Sequence, residues 1–168
     1  MPVYGVIEPL PPFRMAAVAG FRGLERLSFG GEVPGCERND EHPLIRETAR
    51  QLAAYFRGEL RSFDLPLDPA GTEFHMRVWA ALSRIPYGEV RSYASIAKEL
   101  GTAARAVGQA NAANPIAIVL PCHRVIAADG SLGGYSGGLE RKQYLLDLER
   151  TVVLAAKARA TMARLSRF

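Results

Sequence analysis

The fold of this chain is decided by residues 92–114, which read SYASIAKELGTAARAVGQANAAN. Ser92 can cap a helix, because a serine side chain accepts a hydrogen bond from the free amides of a first turn. Apolar side chains then recur at helical spacing, and Gly101 is a typical C-terminal stop. A second helix is predicted over 103–113. Two short helices joined by a glycine-containing turn predict a helix-turn-helix.

The second helix of this motif is nearly without side chains. Seven of its residues are Ala or Gly, and Arg105 is its only charge. Small residues let a helix approach another surface closely, as a narrow groove of DNA would require, although tight packing between helices is at least as common. Arg105 could enter a base stack or bind a phosphate. A solvated surface charge is the more frequent outcome, and the residues alone leave both alternatives open.

The segment after the motif ends on the pair Cys122-His123. Its apolar run, 116–120, predicts a buried strand that ends at Pro121, so the cysteine is expected at a strand end. A thiolate is a strong nucleophile, and a neighbouring histidine is a usual means of stabilising it. A small buried core cysteine is an equally good interpretation of these residues.

A carboxylate and two phenols are further candidates. Glu149 falls near the inward stripe of the last predicted helix, 139–150, where it could orient His123 and complete a Cys–His–acid relay. An exposed glutamate at a helix end is the simpler interpretation of that spacing. Tyr93 and Tyr135 lie in core-like contexts, where packing is the usual role, yet a phenol can also donate a proton.

The first part of the chain has a different character. Residues 1–35 are rich in Gly and Pro and contain short alternating apolar runs, which predict antiparallel strands, and helical spacing follows over 43–60. The predicted fold class is α/β (α+β): a small antiparallel sheet with one helix, then a mainly helical domain that holds the helix-turn-helix, then a basic tail. The tail could be a helix that contacts DNA or a partner, but a loosely ordered end is expected. The expected divisions are 1–70, 71–150 and 151–168.

Two more elements are predicted around the helix-turn-helix. Thr72 can cap a helix that is stopped near Pro86. The dipeptide Asp129-Gly130 is a strong hairpin signal and predicts paired strands at 124–128 and 131–135.

Composition narrows the class of protein. Of the 168 residues, 48% are apolar and 23% charged, which is typical of a folded globular protein. No run of 18 apolar residues and no basic-then-apolar leader occurs, so a cytoplasmic location without membrane contact is expected. Two cysteines and three scattered histidines make no zinc pattern, and neither a disulfide nor a structural metal is expected.

Charge is spread unevenly along the chain. Residues 1–74 carry 8 Lys and Arg against 11 Asp and Glu, residues 75–150 carry 9 against 6, and residues 151–168 carry 4 bases and no acid. A polyanionic partner is therefore expected to meet the later part of the chain.

An ordered set of motifs resembles the O6-alkylguanine-DNA alkyltransferases, also called methylated-DNA–protein-cysteine methyltransferases. The matching pieces are GT-x-F at 71–74, VW at 78–79, IPYGE at 85–89, SY at 92–93, ARAVG-x-A at 104–110, NPI at 114–116, PCHRVI at 121–126, GY-x-GG at 134–138 and K-x-x-LL-x-x-E at 142–149. Order and spacing agree over nearly 80 residues, close to half the chain. The front departs from the family, because EPLPP at 8–12 stands where a Ser-Pro-x-Gly strand is common.

The resemblance implies a ribonuclease H-like N-terminal domain followed by a winged helix-turn-helix-like domain. Such a protein binds duplex DNA in the minor groove, flips out O6-alkylguanine and moves the alkyl group irreversibly onto one of its own cysteines. The implied partner is double-stranded DNA carrying the lesion. No cofactor is implied, and the protein is expected to be a monomer, with cooperative binding along DNA left open.

By position, the resemblance also implies the site residues. Cys122 would accept the alkyl group, while His123, through a water, and Glu149 would keep its thiol deprotonated. Asn114 would support the active-site turn, and Tyr93 would donate a hydrogen bond or proton to the departing purine. Arg105 would fill the gap that the flipped nucleotide leaves in the base stack, and Ala106 would contact the DNA. The Val125 backbone would hydrogen-bond to the base, and Tyr135 and Ser136 would line the pocket.

Two rival functions stay open. A Cys-His-Glu hydrolase would use the same relay for acyl transfer and would regenerate its thiol. A regulator could sense damaged DNA through the helix-turn-helix without reacting with it.

Overall fold

The structure is a computed structural model that describes residues 1–10 and 13–167. The strands are β1 (Val3–Leu10), β2 (Phe13–Ala19), β3 (Leu24–Phe29), β4 (Glu37–Arg38), β5 (Arg91–Ser92) and β6 (Val125–Ile126). The helices are α1 (Pro43–Phe56), α2 (Glu73–Ser83), α3 (Tyr93–Leu100), α4 (Ala104–Ala112) and α5 (Leu139–Leu165), with a 3₁₀ turn over Cys122–Arg124. Pro11 and Pro12 of the divergent 8–12 segment, and Phe168 of the basic tail, lie outside the described residues.

The N-terminal part is a four-stranded sheet in the order β3-β2-β1-β4 with α1 packed on it. The predicted antiparallel pairing is confirmed for β1–β2 and β2–β3, whereas the short β4 runs parallel to β1. Because side chains of a strand alternate between its two sides, β2 is buried on both. Met15 and Ala17 enter the main core with α1, while Ala16 and Val18 pack against Val33 on the other side.

The predicted helix-turn-helix is confirmed as α3 and α4. Ser92 Oγ accepts the amide of Ser95 at 3.0 Å and so caps α3. Gly101 ends α3 in the left-handed region at φ 68°, where glycine pays no steric penalty. The side chain of Ala103 provides no cap for α4, which is held by packing of Val107, a fully buried residue.

Helix α2 packs against both helices of this motif. The predicted cap Thr72 exchanges two hydrogen bonds with His75, a capping box that fixes the start of α2. The buried indole of Trp79 donates from Nε1 to the carbonyl oxygen of Ala110 at 2.9 Å. That bond fastens α2 to α4.

One hydrophobic core joins the N-terminal and C-terminal parts. At their boundary the amide of Leu27 in β3 donates to the carbonyl oxygen of Pro115 at 2.9 Å, and the carbonyl oxygen of Leu27 accepts from the amide of Ala117 at 2.9 Å. The segment that leads to the cysteine is therefore attached to the N-terminal sheet.

The predicted strand at 116–120 is wrong. Only Ile116 bridges to β3, after which the chain turns and the amide of Leu120 bonds back to the carbonyl oxygen of Ile116 at 3.0 Å. Ile118 has φ 70°, a conformation that a β-branched residue rarely adopts. An apolar run does not distinguish a buried strand from a buried loop. Cys122 consequently begins a 3₁₀ turn instead of following a strand.

The predicted hairpin is only partly correct. Its turn is present, with the amide of Ala127 bonded to the carbonyl oxygen of Ser131 at 2.9 Å and Gly130 at φ 88°. Its flanking strands do not pair, because β6 instead pairs in parallel with β5 and residues 131–138 form no strand.

The expectation of a loosely ordered tail is also wrong, because α5 continues to Leu165. Val152 and Val153 pack closely on two turns of the body, where a Cβ added to Gly58 or Gly88 would lie 2.8 or 2.6 Å from a valine methyl. Farther on, alanine-rich sequence of high helix propensity sustains the helix with exposed side chains. Within the described ranges, no helix combines the length and apolarity needed to cross a membrane.

Candidate active site

A cavity of about 540 Å³ opens between α3, α4 and the loop that precedes α5. Its wall consists of Tyr93, Ala104, Arg105, Gly108, Asn111, Ala112, Gly134, Tyr135 and Ser136. The wall therefore brings together four of the residues predicted for the site, namely Tyr93, Arg105, Tyr135 and Ser136. Ala106 was predicted with them but does not belong to this wall. Burial raises the pKa of Tyr93, so its phenol stays protonated at neutral pH and can donate.

Cys122 lies behind this wall, with 2% of its surface exposed. Asn111, in the wall, donates from Nδ2 to the Cys122 carbonyl oxygen at 3.3 Å. Burial raises the pKa of the Cys122 thiol, although Asn114 and the charge of Lys142 oppose that rise. The resting sulfur is therefore a thiol at neutral pH, which differs from the expectation of a relay that keeps it deprotonated.

His123 and Glu149 form a buried pair directly beside the cysteine. Nε2 of His123 lies 2.5 Å from Oε2 of Glu149, and neither side chain exceeds 1% exposure. Burial lowers the pKa of His123, so the imidazole is neutral near pH 7 and donates its Nε2 proton to the carboxylate. Nδ1 is then unprotonated, and no group of residues 1–10 or 13–167 hydrogen-bonds to it. Nδ1 is therefore a buried nitrogen that is able to accept a proton.

Besides His123, three other residues hydrogen-bond to the Glu149 carboxylate. Arg124 donates from Nε to Oε1 at 2.7 Å and from Nη2 to Oε2 at 3.2 Å, the amide of Gly88 donates to Oε1 at 3.1 Å, and Tyr55 Oη donates to Oε2 at 2.7 Å. Burial opposes ionisation, but the hydrogen bonds from His123 and Arg124 and the charge of Arg124 outweigh it and lower the pKa of Glu149 to about 2. The carboxylate is therefore ionised and held in one orientation.

Lys142 of α5 is fully buried, and it bonds to the segment of residues 125–134 that precedes this helix. Its ammonium donates to the carbonyl oxygens of Val125, Leu132 and Gly134, all within 3.0 Å. These bonds hold residues 125–134 against α5 and occupy the carbonyl of Val125, whose backbone is expected to hydrogen-bond to the base. Burial lowers the pKa of Lys142 to about 8, so the ammonium is mainly charged at pH 7 and favours a thiolate at Cys122.

Asn114 secures the turn that delivers the cysteine. Its Oδ1 accepts the amide of Ile116 at 2.9 Å, and its Nδ2 donates to the carbonyl oxygen of Leu120 at 2.8 Å. These two bonds close a loop around the strained Ile118, which supports the role expected for Asn114 at this turn.

Sequence reasoning missed four residues of this site, which are Tyr55, Asn111, Arg124 and Lys142. A lysine within the inward stripe of the last helix was a usable signal for Lys142, since a buried lysine needs partners. Arg124 follows the Cys-His pair directly, and its charge is complementary to that of the candidate carboxylate Glu149. No local pattern marks Tyr55, which lies 94 positions from Glu149 in the chain.

The arrangement can carry out a nucleophilic displacement. It offers a sulfur, an imidazole nitrogen able to take its proton, a fixed carboxylate and a phenol that can donate to a departing group. Among the described residues, no three His, Cys, Asp or Glu side chains are grouped as metal ligands would be.

Two family models match the chain. The model described as 6-O-methylguanine DNA methyltransferase, DNA binding domain, matches residues 73–151, and the model of the ribonuclease-like domain of the same proteins matches residues 19–69. A methylated-DNA–protein-cysteine methyltransferase of Methanosarcina acetivorans is 58% identical over 154 residues, which cover 87% of this chain and 97% of that protein. Its counterpart in Mycolicibacterium paratuberculosis is 66% identical over 102 residues, 60% of this chain and 62% of that protein.

Solved structures agree with these matches. The crystal structure of the Mycobacterium tuberculosis O6-methylguanine methyltransferase superposes with a TM-score of 0.81 at 44% identity, covering 90% of this chain and 94% of that one. The same organism's OGT in complex with DNA superposes with a TM-score of 0.80 at 45% identity, covering 89% and 93%. The chain therefore belongs to the 6-O-methylguanine DNA methyltransferase family.

Proposed function

We propose that this protein repairs O6-alkylguanine in duplex DNA by transferring the alkyl group to Sγ of its own Cys122. The observation that carries this assignment is the buried Cys122, followed by the hydrogen-bonded His123–Glu149 pair, next to a cavity that α4 helps to form. The cavity, at about 540 Å³, falls within the range of pockets that hold small molecules. A flipped nucleobase is a ligand of that class.

The slim helix α4 is the part that meets the minor groove. Its small side chains allow close approach, and the exposed Arg105 stands at the mouth of the cavity, where it fills the space left by the extruded nucleotide. A weakly paired, damaged base costs less to extrude, which gives a first level of selection. Tyr135 and Ser136, on the opposite wall, line the pocket for the base.

Thiol activation is coupled to substrate binding. The resting thiol has a raised pKa and must lose its proton before it can attack. That proton passes through a water to Nδ1 of His123 as the base is seated. The Sγ–carbon bond forms as the carbon–O6 bond breaks. The purine departs with that electron pair and is neutralised by a proton, with the Tyr93 phenol as hydrogen-bond donor. The charge of Lys142 stabilises the developing thiolate.

The product is a thioether, and its stability makes the reaction a single event. With an excess of duplex oligonucleotide that carries one O6-methylguanine, we expect the number of repaired lesions to equal the number of protein molecules. Transfer of radiolabelled methyl groups to protein measures this ratio, with undamaged duplex as the control. A ratio well above one would indicate a hydrolase-like enzyme that regenerates its thiol, and binding without transfer would indicate a damage sensor.

Arg105 is expected to matter for extrusion and not for chemistry. Arg105→Ala should slow repair in duplex DNA by about tenfold to a hundredfold, since a few kcal/mol of unstacking is no longer offset. Reaction with free O6-methylguanine base should change less than about twofold. Single-turnover rates on both substrates measure the contrast. Arg105→Lys is the matched variant, because it keeps the charge without the planar group, and an equal loss on both substrates would contradict the extrusion role.

The remaining assignments follow from the same proposal. We divide the chain into an N-terminal α/β domain over 1–70, an alkyltransferase domain over 71–150 and a basic segment over 151–168, a division supported by family models that meet between residues 69 and 73. Asn114 supports the active-site turn, and Ala106 and the Val125 backbone contact the DNA or the base after the loop adjusts. The protein acts as a cytoplasmic monomer without a cofactor.

A further inference from the structure

The N-terminal domain supplies one side chain to the catalytic relay. Tyr55, in the last turn of α1, has no exposed surface, and its Oη donates to Oε2 of Glu149 at 2.7 Å. The same oxygen lies 2.5 Å from Nε2 of His123. A phenol and an imidazole therefore share one carboxylate oxygen.

The other partners of this carboxylate all come from the C-terminal domain. Oε1 holds the amide of Gly88 and Nε of Arg124, while Oε2 holds Nη2 of Arg124 in addition to the two shared groups. Among the described residues, Tyr55 alone links the carboxylate to the N-terminal domain by a hydrogen bond. Its ring is wedged between Phe56 and Phe63 of its own domain and Tyr87 of the other, so its position is set by packing across the boundary.

We propose that Tyr55 is a positioning residue for alkyl transfer, through which the N-terminal domain sets the orientation and basicity of the His123–Glu149 pair. This inference rests on the proposed function. A hydrogen bond to Oε2 withdraws electron density from the carboxylate, so the imidazolium form of His123 gains less from its neighbour. His123 then stays neutral, with Nδ1 free to take the thiol proton.

A second contact between the domains acts on the same site. The sheet of the N-terminal domain bonds through Leu27 to Pro115 and Ala117, at the start of the loop that ends on Cys122. The N-terminal domain thus contacts the site twice: Tyr55 bonds to Glu149, and Leu27 bonds to the start of the loop that ends on Cys122.

The groups that face the pair are known from every element around it. Arg124 lies in the 3₁₀ turn with His123, Lys142 lies on α5, Cys122 precedes His123, and the phenol of Tyr87 approaches Glu149 from the segment after α2. None of them is altered when the hydroxyl of Tyr55 is removed.

Tyr55→Phe tests the proposal through the pH dependence of the reaction. Transfer requires unprotonated Nδ1, so the single-turnover rate on O6-methylguanine DNA should rise through the pKa of His123. Loss of the phenol leaves more charge on Oε2, which stabilises the imidazolium and raises the pKa of His123. We expect the rising limb of the pH–rate profile to move to higher pH by about one unit, which is the shift expected for one hydrogen bond to a charged group. The same displacement should appear with free O6-methylguanine base.

The controls separate positioning from stability. Ile45→Ala shortens a buried side chain of α1 that lies ten positions before Tyr55, so it should lower Tm without moving the limb. Incorporation of 3-fluorotyrosine at position 55 strengthens the phenol as a donor and should move the limb down. A rising limb that is the same in wild type, Tyr55→Phe and the fluorinated protein would overturn the proposal. Transfer by the wild type in the same experiment shows independently that the proposed function stands.

Discussion

Glu149→Gln is expected to slow alkyl transfer by about a hundredfold or more and to destabilise the fold by about 3 kcal/mol at pH 7. The rate falls because a neutral amide does not stabilise the imidazolium that forms when His123 takes the thiol proton. The stability falls because Arg124, with 7% of its surface exposed, loses the only carboxylate to which the described structure pairs it. Single-turnover kinetics and urea denaturation measure the two effects.

The stability effect of Glu149→Gln should depend on pH in one direction. The pKa of Glu149 is about 2 in the folded protein and near 4.5 when unperturbed. A lowered folded-state pKa contributes stability that is complete above the unfolded value and is lost as pH falls toward the folded value. The difference between wild type and variant should therefore be full at pH 7 and shrink below pH 4.5. Glu140→Gln, at an exposed position of the same helix, is the matched control, and a difference independent of pH would contradict the assigned ion pair.

The local elements of this fold were accessible from sequence because short-range chemistry determines them. The cap at Thr72, the cap at Ser92 and the glycine stop at Gly101 depend on groups within three or four positions, and all are present. The pairing of two short helices followed from those boundaries. The likeness of ordered motifs then predicted the family correctly.

The errors arise where hydrogen bonds from side chains replace the strand pairing that the sequence predicts. Residues 116–120 have the composition of a strand, but Asn114 takes up the backbone groups of the turn, so the chain bends at Ile118. Likewise the turn at residues 129–130 is correct, yet β6 pairs with β5, and the carbonyl oxygens of Val125, Leu132 and Gly134 accept from Lys142. Tyr55 reaches Glu149 only because two domains share one core. Asn114 lies only two and six positions from its partners, whereas Tyr55 lies 94 positions from Glu149 and is not visible within a local window of sequence.

The helical extension beyond residue 150 has a different origin. Residues 151–168 contain five alanines, and alanine has the highest intrinsic helix propensity. Packing of Val152 and Val153 on Gly58 and Gly88 carries the helix past the body, and the propagation of a helix that is already formed requires no new nucleus. The exposed C-terminal part of α5 stays helical because its alanine-rich sequence has a high intrinsic helix propensity.

The resting state of the nucleophile gives the mechanism its order of events. A cysteine with 2% exposure and a raised pKa is poorly reactive toward small electrophiles in solution. In the proposed function, a base seated between Tyr93 and Tyr135 would bring its alkyl carbon toward the sulfur while His123 accepts the thiol proton. Reactivity would thereby be confined to a base that has already entered the cavity.

The central claim is that Cys122 is the acceptor, and the mass of its peptide after reaction tests it most directly. The chain has two cysteines, and cleavage after Arg and Lys places Cys36 in residues 27–38 and Cys122 in residues 106–124. After incubation with duplex DNA that carries O6-methylguanine, the 106–124 peptide should gain about 14 Da, one methylene, while the other stays unchanged. Cys122→Ala should abolish the gain in the intact protein. Methylation of residues 27–38, or a Cys122→Ala protein that still takes up the methyl group, would contradict the account.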